Sequence, residues 1–211
     1  MKKILIVLSL LAVFATVTKI CLSCSEKRIA DLTEQVEALK EDCVPMRFEI
    51  LKKKDSQITV KVAFYDIVTG NKVGKSDTFE LIGEELNVDF QVIKLSPNNF
   101  IFFPAGLYTD MIPLAESEPL YKLYEKQGFP LIYEGIADTS SKAGKKNLKQ
   151  ELCQYLALST TLVNTEKESG KKAQYGTSIH DLKTISQFKK GFVYKVLCHP
   201  HTGGIEIVKE D

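Results

Sequence analysis

Apolar and polar residues alternate with a period of two through much of residues 47–112. Successive side chains of a strand point to opposite faces of its sheet, so this alternation is typical of strands that bury one face. The pattern is clear in residues 58–65 and recurs in 86–95, with turn-forming residues at 69–71 and 96–99. It predicts four to six antiparallel strands. The buried face of one of them carries Ile58, Val60, Val62 and Phe64.

Helical patterns follow in the second half of the chain. Ser117 is a typical helix N-cap, with Pro119 in the first turn and Gly128 as the stop. A short strand is expected over residues 130–136. Apolar residues that share one helical face over 148–163 predict the longest amphipathic helix, packed across the sheet.

The C-terminal part carries one more helix and two more strands. A capping box at residues 178–181 predicts the start of the helix, and residues 192–197 and 205–208 form a closing pair of strands. Strands first and helices later predict an α+β fold, with a mainly antiparallel sheet and helices packed on one face. The globular domain is expected to span residues 46–211.

The composition is that of an ordinary globular protein. Of the 211 residues, 44% are hydrophobic and 26% are charged, and the formal net charge is +1. These values exclude a disordered or collagenous chain and fit a single domain. Lysine pairs and triplets are short and scattered, whereas nucleic-acid binders gather basic residues on one face. No nucleic-acid partner is therefore expected.

The N-terminus combines Lys2 and Lys3 with an apolar run over residues 4–18. A positive head before an apolar middle is typical of a secretory signal, so residues 1–24 are predicted to be a signal peptide or signal anchor. The positive charges should stay inside. The bulk of the chain is then expected outside the cytoplasm, at the cell membrane or in the cell envelope.

Three fates of this segment are open. An uncleaved transmembrane anchor results if the helix continues through Lys19, whose ammonium group then snorkels to the headgroups. Cleavage after Ala15 gives a freely secreted protein. The residues that end at Cys24 resemble the end of a bacterial lipoprotein signal, which makes Cys24 a candidate lipidation site.

Residues 25–44 are predicted to form a short coiled-coil-like stalk. Apolar residues recur there at intervals of three and four, which is typical of a parallel two-stranded coil. They are Ile29, Leu32, Val36 and Leu39. A homodimer through residues 26–43 is one expectation, and a monomeric spacer or a helix packed on its own domain is the alternative. In the dimer Cys43 occupies an a position and faces its symmetry mate, as an interchain disulfide requires.

Five cysteines occur in the chain, of which Cys153 and Cys198 are expected in the globular part, either bridged or as two buried thiols. His199 and His201 flank Cys198, and His180 is the third histidine. Thiolate and imidazole are zinc ligands, so Cys198, His199 and His201 are metal candidates. Cys198 with any of the three histidines is the candidate nucleophilic pair. The neighbouring proline and glycines favour a plain hairpin turn instead.

Other catalytic motifs are missing from the sequence. It contains no GxGxxG, P-loop, HExxH, GxSxG or SxxK motif, and no cofactor is predicted. Aromatic residues are dense over 100–133 and either line a ligand groove or fill the core. Both faces of residues 100–103 are apolar, which predicts a central strand covered on both sides.

These features lead to three hypotheses about function. The first is a membrane-tethered, extracytoplasmic, non-enzymatic module that binds or scaffolds another envelope protein or a small ligand. The second is an envelope hydrolase or transferase that uses Cys198 with His199, His201 or His180. The third is a purely structural spacer.

Overall fold

The computed structural model describes residues 41–96, 98–139, 142–169 and 188–210. The predicted membrane segment at residues 1–24, nearly all of the predicted stalk, and His180 lie outside the described residues. The described part is mostly antiparallel sheet with a few helices, which is consistent with the predicted α+β class.

Five strands form the larger sheet. They are β1 Cys43–Lys54, β2 Gln57–Tyr65, β3 Lys72–Ile82, β9 Val193–His199 and β10 Gly204–Lys209. Their spatial order is β10–β9–β1–β2–β3, and all neighbours are antiparallel. The first described strand therefore lies in the middle of the sheet, with the C-terminal hairpin on one side and the β2–β3 hairpin on the other.

The remaining strands form a smaller sheet and a minimal hairpin. In the smaller sheet β5 Asn99–Thr109 lies between β4 Leu86–Ser96 and β6 Glu118–Pro119. The hairpin pairs β7 Glu125–Lys126 with β8 Phe129–Pro130. The described α-helices are α1 Tyr121–Tyr124, α2 Glu134–Thr139 and α3 Lys142–Ser169, and 3-10 turns lie at Leu114–Glu116 and Leu131–Tyr133.

The alternation in β2 is confirmed by its burial. Ile58, Val60, Val62 and Phe64 are at most 1% exposed, and the residues between them are not buried. Strand β9 shows the same alternation beside β1. These faces and the smaller sheet contribute to one hydrophobic core, as a half-buried sheet requires.

Strand β5 is the central strand of the smaller sheet, and residues 101–107 are all buried. The prediction of a strand covered on both sides is thus confirmed. Its aromatic residues belong to the core: Phe102, Phe103, Tyr124 and Tyr133 are at most 1% exposed. The Tyr133 hydroxyl donates to the Phe102 carbonyl at 2.9 Å and accepts from the Phe102 N–H at 2.8 Å. An aromatic ligand groove built from these rings is therefore wrong.

The prediction of a helix that starts after Ser117 is wrong for its first residues. Glu118 and Pro119 pair with β5 as strand β6, and only Tyr121–Tyr124 is helical. The N–H of Leu120 continues this pairing with the Ala105 carbonyl at 3.0 Å. The open edge of β5 supplies partners for this segment, and proline is tolerated on an edge strand.

Residues 130–136 end a strand, form a 3-10 turn and begin α2, whereas a short strand was the expectation. Contacts with the loop after β2 fix this backbone. The Ile67 N–H donates to the Ile132 carbonyl at 2.9 Å, and the Gly135 N–H donates to Asp66 Oδ2 at 2.5 Å. A Cβ at residue 135 would collide with the Asp66 carboxylate. Tertiary contacts here override the local apolar pattern.

The longest helix, α3, confirms the predicted amphipathic helix. Leu148, Leu152 and Leu156 lie on its buried side. The helix packs against α2, β8 and the smaller sheet. The helical spacing of these apolar residues was enough to predict the helix, because such a helix is stabilised mainly by burying its apolar face.

The predicted end of the stalk at residue 44 is wrong by two residues, because Cys43 and Val44 already belong to β1. Cys43 is 7% exposed in the core. It does not occupy a helical seam, so the interchain disulfide predicted for it would require the start of β1 to leave the core.

Candidate functional site

The segment Cys198–His201 ends β9 and starts the turn to β10. The N–H groups of Thr202 and Gly203 donate to the His199 carbonyl at 3.1 and 2.9 Å. Gly203 has a φ of 75°, a backbone conformation that glycine adopts without steric cost. The predicted hairpin turn is therefore confirmed.

The two histidines of this turn have separate partners. His199 Nδ1 lies 2.8 Å from Asp42 Oδ1, so this nitrogen carries the hydrogen that the carboxylate accepts. His199 Nε2 is 3.8 Å from Glu206 Oε2, and His201 Nδ1 is 3.3 Å from the Asn98 carbonyl oxygen. Among residues 41–210 that the structure describes, no group of three or more His, Cys, Asp or Glu side chains has the arrangement of a metal site.

Cys198 does not have the surroundings of a nucleophile. Its side chain is fully buried, while His199, the next residue of the strand, points to the other face and is partly exposed. Burial, followed by contact with Cys43, raises the pKa of the Cys198 thiol well above its usual value. A reactive cysteine needs a lowered pKa and access. Cys198 and His199 therefore do not form a Cys–His pair, and His180 lies outside the described residues.

The neighbour of Cys198 is Cys43. The two residues face each other in the β1–β9 register, and both side chains belong to the same hydrophobic core. Cys153 lies on α3, and all three are free thiols in the structure. Among the described residues no Cys153–Cys198 bridge is present, and the two cysteines lie on different elements, α3 and β9.

A row of polar side chains is buried in β4. Asn87, Asp89 and Gln91 occupy alternate positions and are 7%, 4% and 2% exposed. Asn87 Oδ1 and Gln91 Nε2 have no hydrogen-bond partner among the described residues. Burial, and to a smaller degree the charge of Asp89, raises the pKa of Tyr108 on the adjacent strand. Buried polar groups are usually paired, so the Asn87 oxygen and the Gln91 nitrogen carry a free-energy cost.

Three loops meet at the end of the sheets where β1 stops. Asp110 Oδ1 accepts hydrogen bonds from the N–H groups of Glu84 and Glu85 at 2.7 and 2.9 Å. The Gly83 N–H donates to the Ser56 carbonyl at 2.8 Å. The β1–β2 turn, the β3–β4 turn and the segment after β5 are thus held together as one surface.

Two exposed apolar side chains lie on this surface. Ile82 is 57% exposed and Met111 is 61% exposed. Their backbones share one partner, because the Thr109 hydroxyl donates to the Ile82 carbonyl at 2.5 Å and accepts from the Met111 N–H at 3.2 Å. We call Ile82 and Met111 the distal patch. Charged residues lie beside it: Glu84 and Glu85 follow Ile82 in the chain, Asp110 precedes Met111, and Lys53 is close enough to Asp110 to help lower its pKa.

The distal patch lies far from the point where the chain enters the domain. Strand β1 runs from Cys43 at the entry end to Lys54 beside the three loops. A strand rises about 3.3 Å per residue, so the two ends of β1 are roughly 35 Å apart. Asp42 and His199 mark the entry end, and the distal patch marks the opposite end.

Neither the polar row nor the distal patch is predicted by the sequence pattern. The polar row is visible in the sequence as polar residues at every second position of 87–91, but alternation alone assigns them to a solvent-facing side. Ile82 and Met111 come from different hairpins, and no periodic signal connects them.

Comparisons of the chain with protein-family models, with curated proteins and with solved structures give no match. Among the helices that the structure describes, none combines the length and the apolar character that a membrane span needs.

Proposed function

We propose that this chain is a membrane-tethered, extracytoplasmic, non-enzymatic module whose distal patch binds another protein of the cell envelope. The tether is residues 1–24, where Lys2 and Lys3 precede the apolar run. Residues 25–42 connect it to β1, and association of two chains through residues 26–43 would place two distal patches side by side.

The exposure of Ile82 and Met111 carries this proposal. Single exposed apolar residues are common, but two large ones held together by a shared backbone partner mark a candidate contact surface. An apolar centre with a charged rim is the usual anatomy of a protein interface. Rim charges of both signs favour a protein partner over an anionic lipid surface, which selects for a basic excess.

The position of the patch supports the same proposal. A domain that hangs from the membrane by the start of β1 presents the far end of β1 to the surrounding space. The distal patch is at that far end, where a partner in the envelope has access to it. The buried Cys198 with its raised pKa gives no comparable support to a hydrolase or transferase.

Site-specific photo-crosslinking in intact cells tests the proposal. A photoreactive phenylalanine replaces Ile82 or Met111 in the full chain, and Val68 is the matched control because it is 42% exposed in the loop at the entry end. We expect one adduct of the same mass from positions 82 and 111 and none from position 68.

Competition with unlabelled protein shows whether the crosslinked adduct reflects specific binding. Excess purified protein should suppress the adduct, whereas the Ile82→Ser, Met111→Ser double variant should not, although it folds to the same thermal stability. Equal labelling from all three positions would contradict the proposal. No adduct from any position would favour the structural spacer.

A further inference from the structure

We infer that Cys43 and Cys198 join in an intrachain disulfide when the domain folds in an oxidising compartment, and that this bond fastens the tethered start of β1 to β9. The presence of an oxidising compartment rests on the proposed extracytoplasmic location; the pairing itself rests on the fold.

The register places the two cysteines opposite each other on antiparallel strands. Opposite residues in such a pair have Cα atoms about 4.5–5.5 Å apart, which lies inside the roughly 4.4–6.8 Å range that disulfides span. Both side chains point into the core, at 7% and 0% exposure. Bond formation therefore needs side-chain rotation and no rearrangement of the strands.

The start of β1 is the place where such a bond has most effect. Pairing of β1 with β2 begins only at Met46, so Cys43 to Pro45 are held from one side, by β9. A bulge separates Cys43 from Met46 in the β9 pairing as well, because two residues of β1 face one residue of β9 there. Any pull from the tether reaches the domain at this weakly paired end.

The chemistry requires a two-electron oxidant, for which the compartment's dithiol-disulfide exchange proteins are the chemical class. One cysteine thiolate attacks the oxidant's disulfide and displaces one of its thiolates. The second cysteine then attacks the mixed disulfide and releases the other. The Cys43–Cys198 bond forms, both cysteine protons leave, and the oxidant's disulfide is reduced to two thiols.

Burial sets when this reaction takes place. In the folded domain neither thiol is accessible, and a buried thiol is seldom ionised. Oxidation should therefore be fast during folding, before β9 closes over Cys43, and slow once the domain is complete. Because most of the folded domain lies between the two cysteines, the bond closes a long loop and should stabilise the fold strongly.

The test begins with full-length protein taken from its native membranes and denatured in an alkylating reagent, which caps every free thiol. Digestion and mass spectrometry should then give a peptide containing Cys43 linked to one containing Cys198, and reductant should separate them. Cys153→Ala is the matched control and should keep the linked peptide. Cys43→Ala should lose it.

Thermal unfolding supplies a second readout. Reductant should lower the Tm of the native protein and of Cys153→Ala by about 10 °C, and it should leave the Tm of Cys43→Ala unchanged. The Tm of Cys198→Ala should also be unaffected by reductant. If Cys198→Ala fails to fold, Cys43→Ala, at the end of β1, still tests whether the effect of reductant depends on this cysteine pair.

Refolding with oxidised glutathione separates this inference from the proposed location. If both thiols are free in the native protein but become linked on refolding, the pairing is correct and the extracytoplasmic location is contradicted. If both remain free even after oxidative refolding, or if Cys43 is found linked to Cys43 of a second chain, the inference is overturned.

Discussion

Asp66 fixes the loop between β2 and β3 with one buried carboxylate. Its Oδ1 accepts from the N–H groups of Val68 and Thr69 and from the Thr69 hydroxyl, at 3.1, 2.7 and 2.9 Å. Its Oδ2 accepts from Gly135 on α2. Side-chain bonds of an aspartate to the backbone two and three residues later are typical of a turn. The bond to Gly135 extends this local motif into a contact between elements.

Replacement of Asp66 by alanine should lower the free energy of unfolding by about 3 kcal/mol, because the buried Gly135 N–H and the part-buried N–H groups of Val68 and Thr69 lose their acceptor. Urea denaturation measures the change. Asp77→Ala is the matched control: this exposed carboxylate accepts one hydrogen bond, from the Thr78 N–H, and its loss should cost less than about 0.5 kcal/mol. Equal costs at the two positions would contradict this role of Asp66.

Asp110 links the segment after β5 to the β3–β4 turn in a pH-dependent way. Hydrogen bonds from the N–H groups of Glu85 and Glu84 hold its pKa below the ordinary value of 3.8. A carboxyl group with a lowered pKa in the folded state stabilises the fold above the unfolded pKa, and this contribution disappears as the pH falls through the folded value. Acid should therefore loosen these loops below about pH 4.

The amide proton shifts of Glu84 and Glu85, followed by NMR from pH 6 downward, measure this effect. We expect both to titrate together with a midpoint below that of an ordinary aspartate. In Asp110→Asn the common titration should vanish. A midpoint at the ordinary value in the native protein would show that the two N–H groups do not favour the charged carboxylate.

At the scale of elements, strands with one buried face and the long helix α3 could be predicted, since burial alone sets their periodicity. The segment of residues 117–136 could not, because its conformation depends on the free edge of β5 and on Asp66, both distant in sequence. Dependence on residues distant in sequence also limits how much of the candidate site could be predicted. The turn at Cys198–His201 was visible locally, whereas the pairing of Cys198 with Cys43 depends on strand order, which places β9 beside β1.

Strand β4 differs from the other predicted strands because its polar side is also buried. Gln91→Leu should raise the free energy of unfolding by about 1 kcal/mol, since it removes a buried amide nitrogen that has no partner among the described residues. Thermal and urea unfolding measure the gain. Gln57→Leu, at the exposed start of β2, is the control and should change little. A large loss of stability in Gln91→Leu would mean that this amide is hydrogen-bonded in the native protein.

At the scale of the whole molecule, the domain has two distinct ends, which lie at the two ends of β1. The chain enters the domain at Cys43, beside Asp42 and His199, and the distal patch lies at the other end of β1. The proposed tether would thus join the domain at one end and the proposed contact surface would lie at the other, as a module that reaches from a membrane to a partner requires. If the N-terminal segment were removed by cleavage, the domain would not be held at a membrane, and the position of the distal patch would no longer support the proposed function.

Intact mass spectrometry of the protein extracted from its native membranes tests this account most directly. The account predicts either the full-length chain, as an uncleaved anchor gives, or a chain that begins at Cys24 and carries added lipid. A chain that begins at Thr16, recovered from the soluble fraction, would mean that the segment is cleaved after Ala15 and would contradict the tethered module.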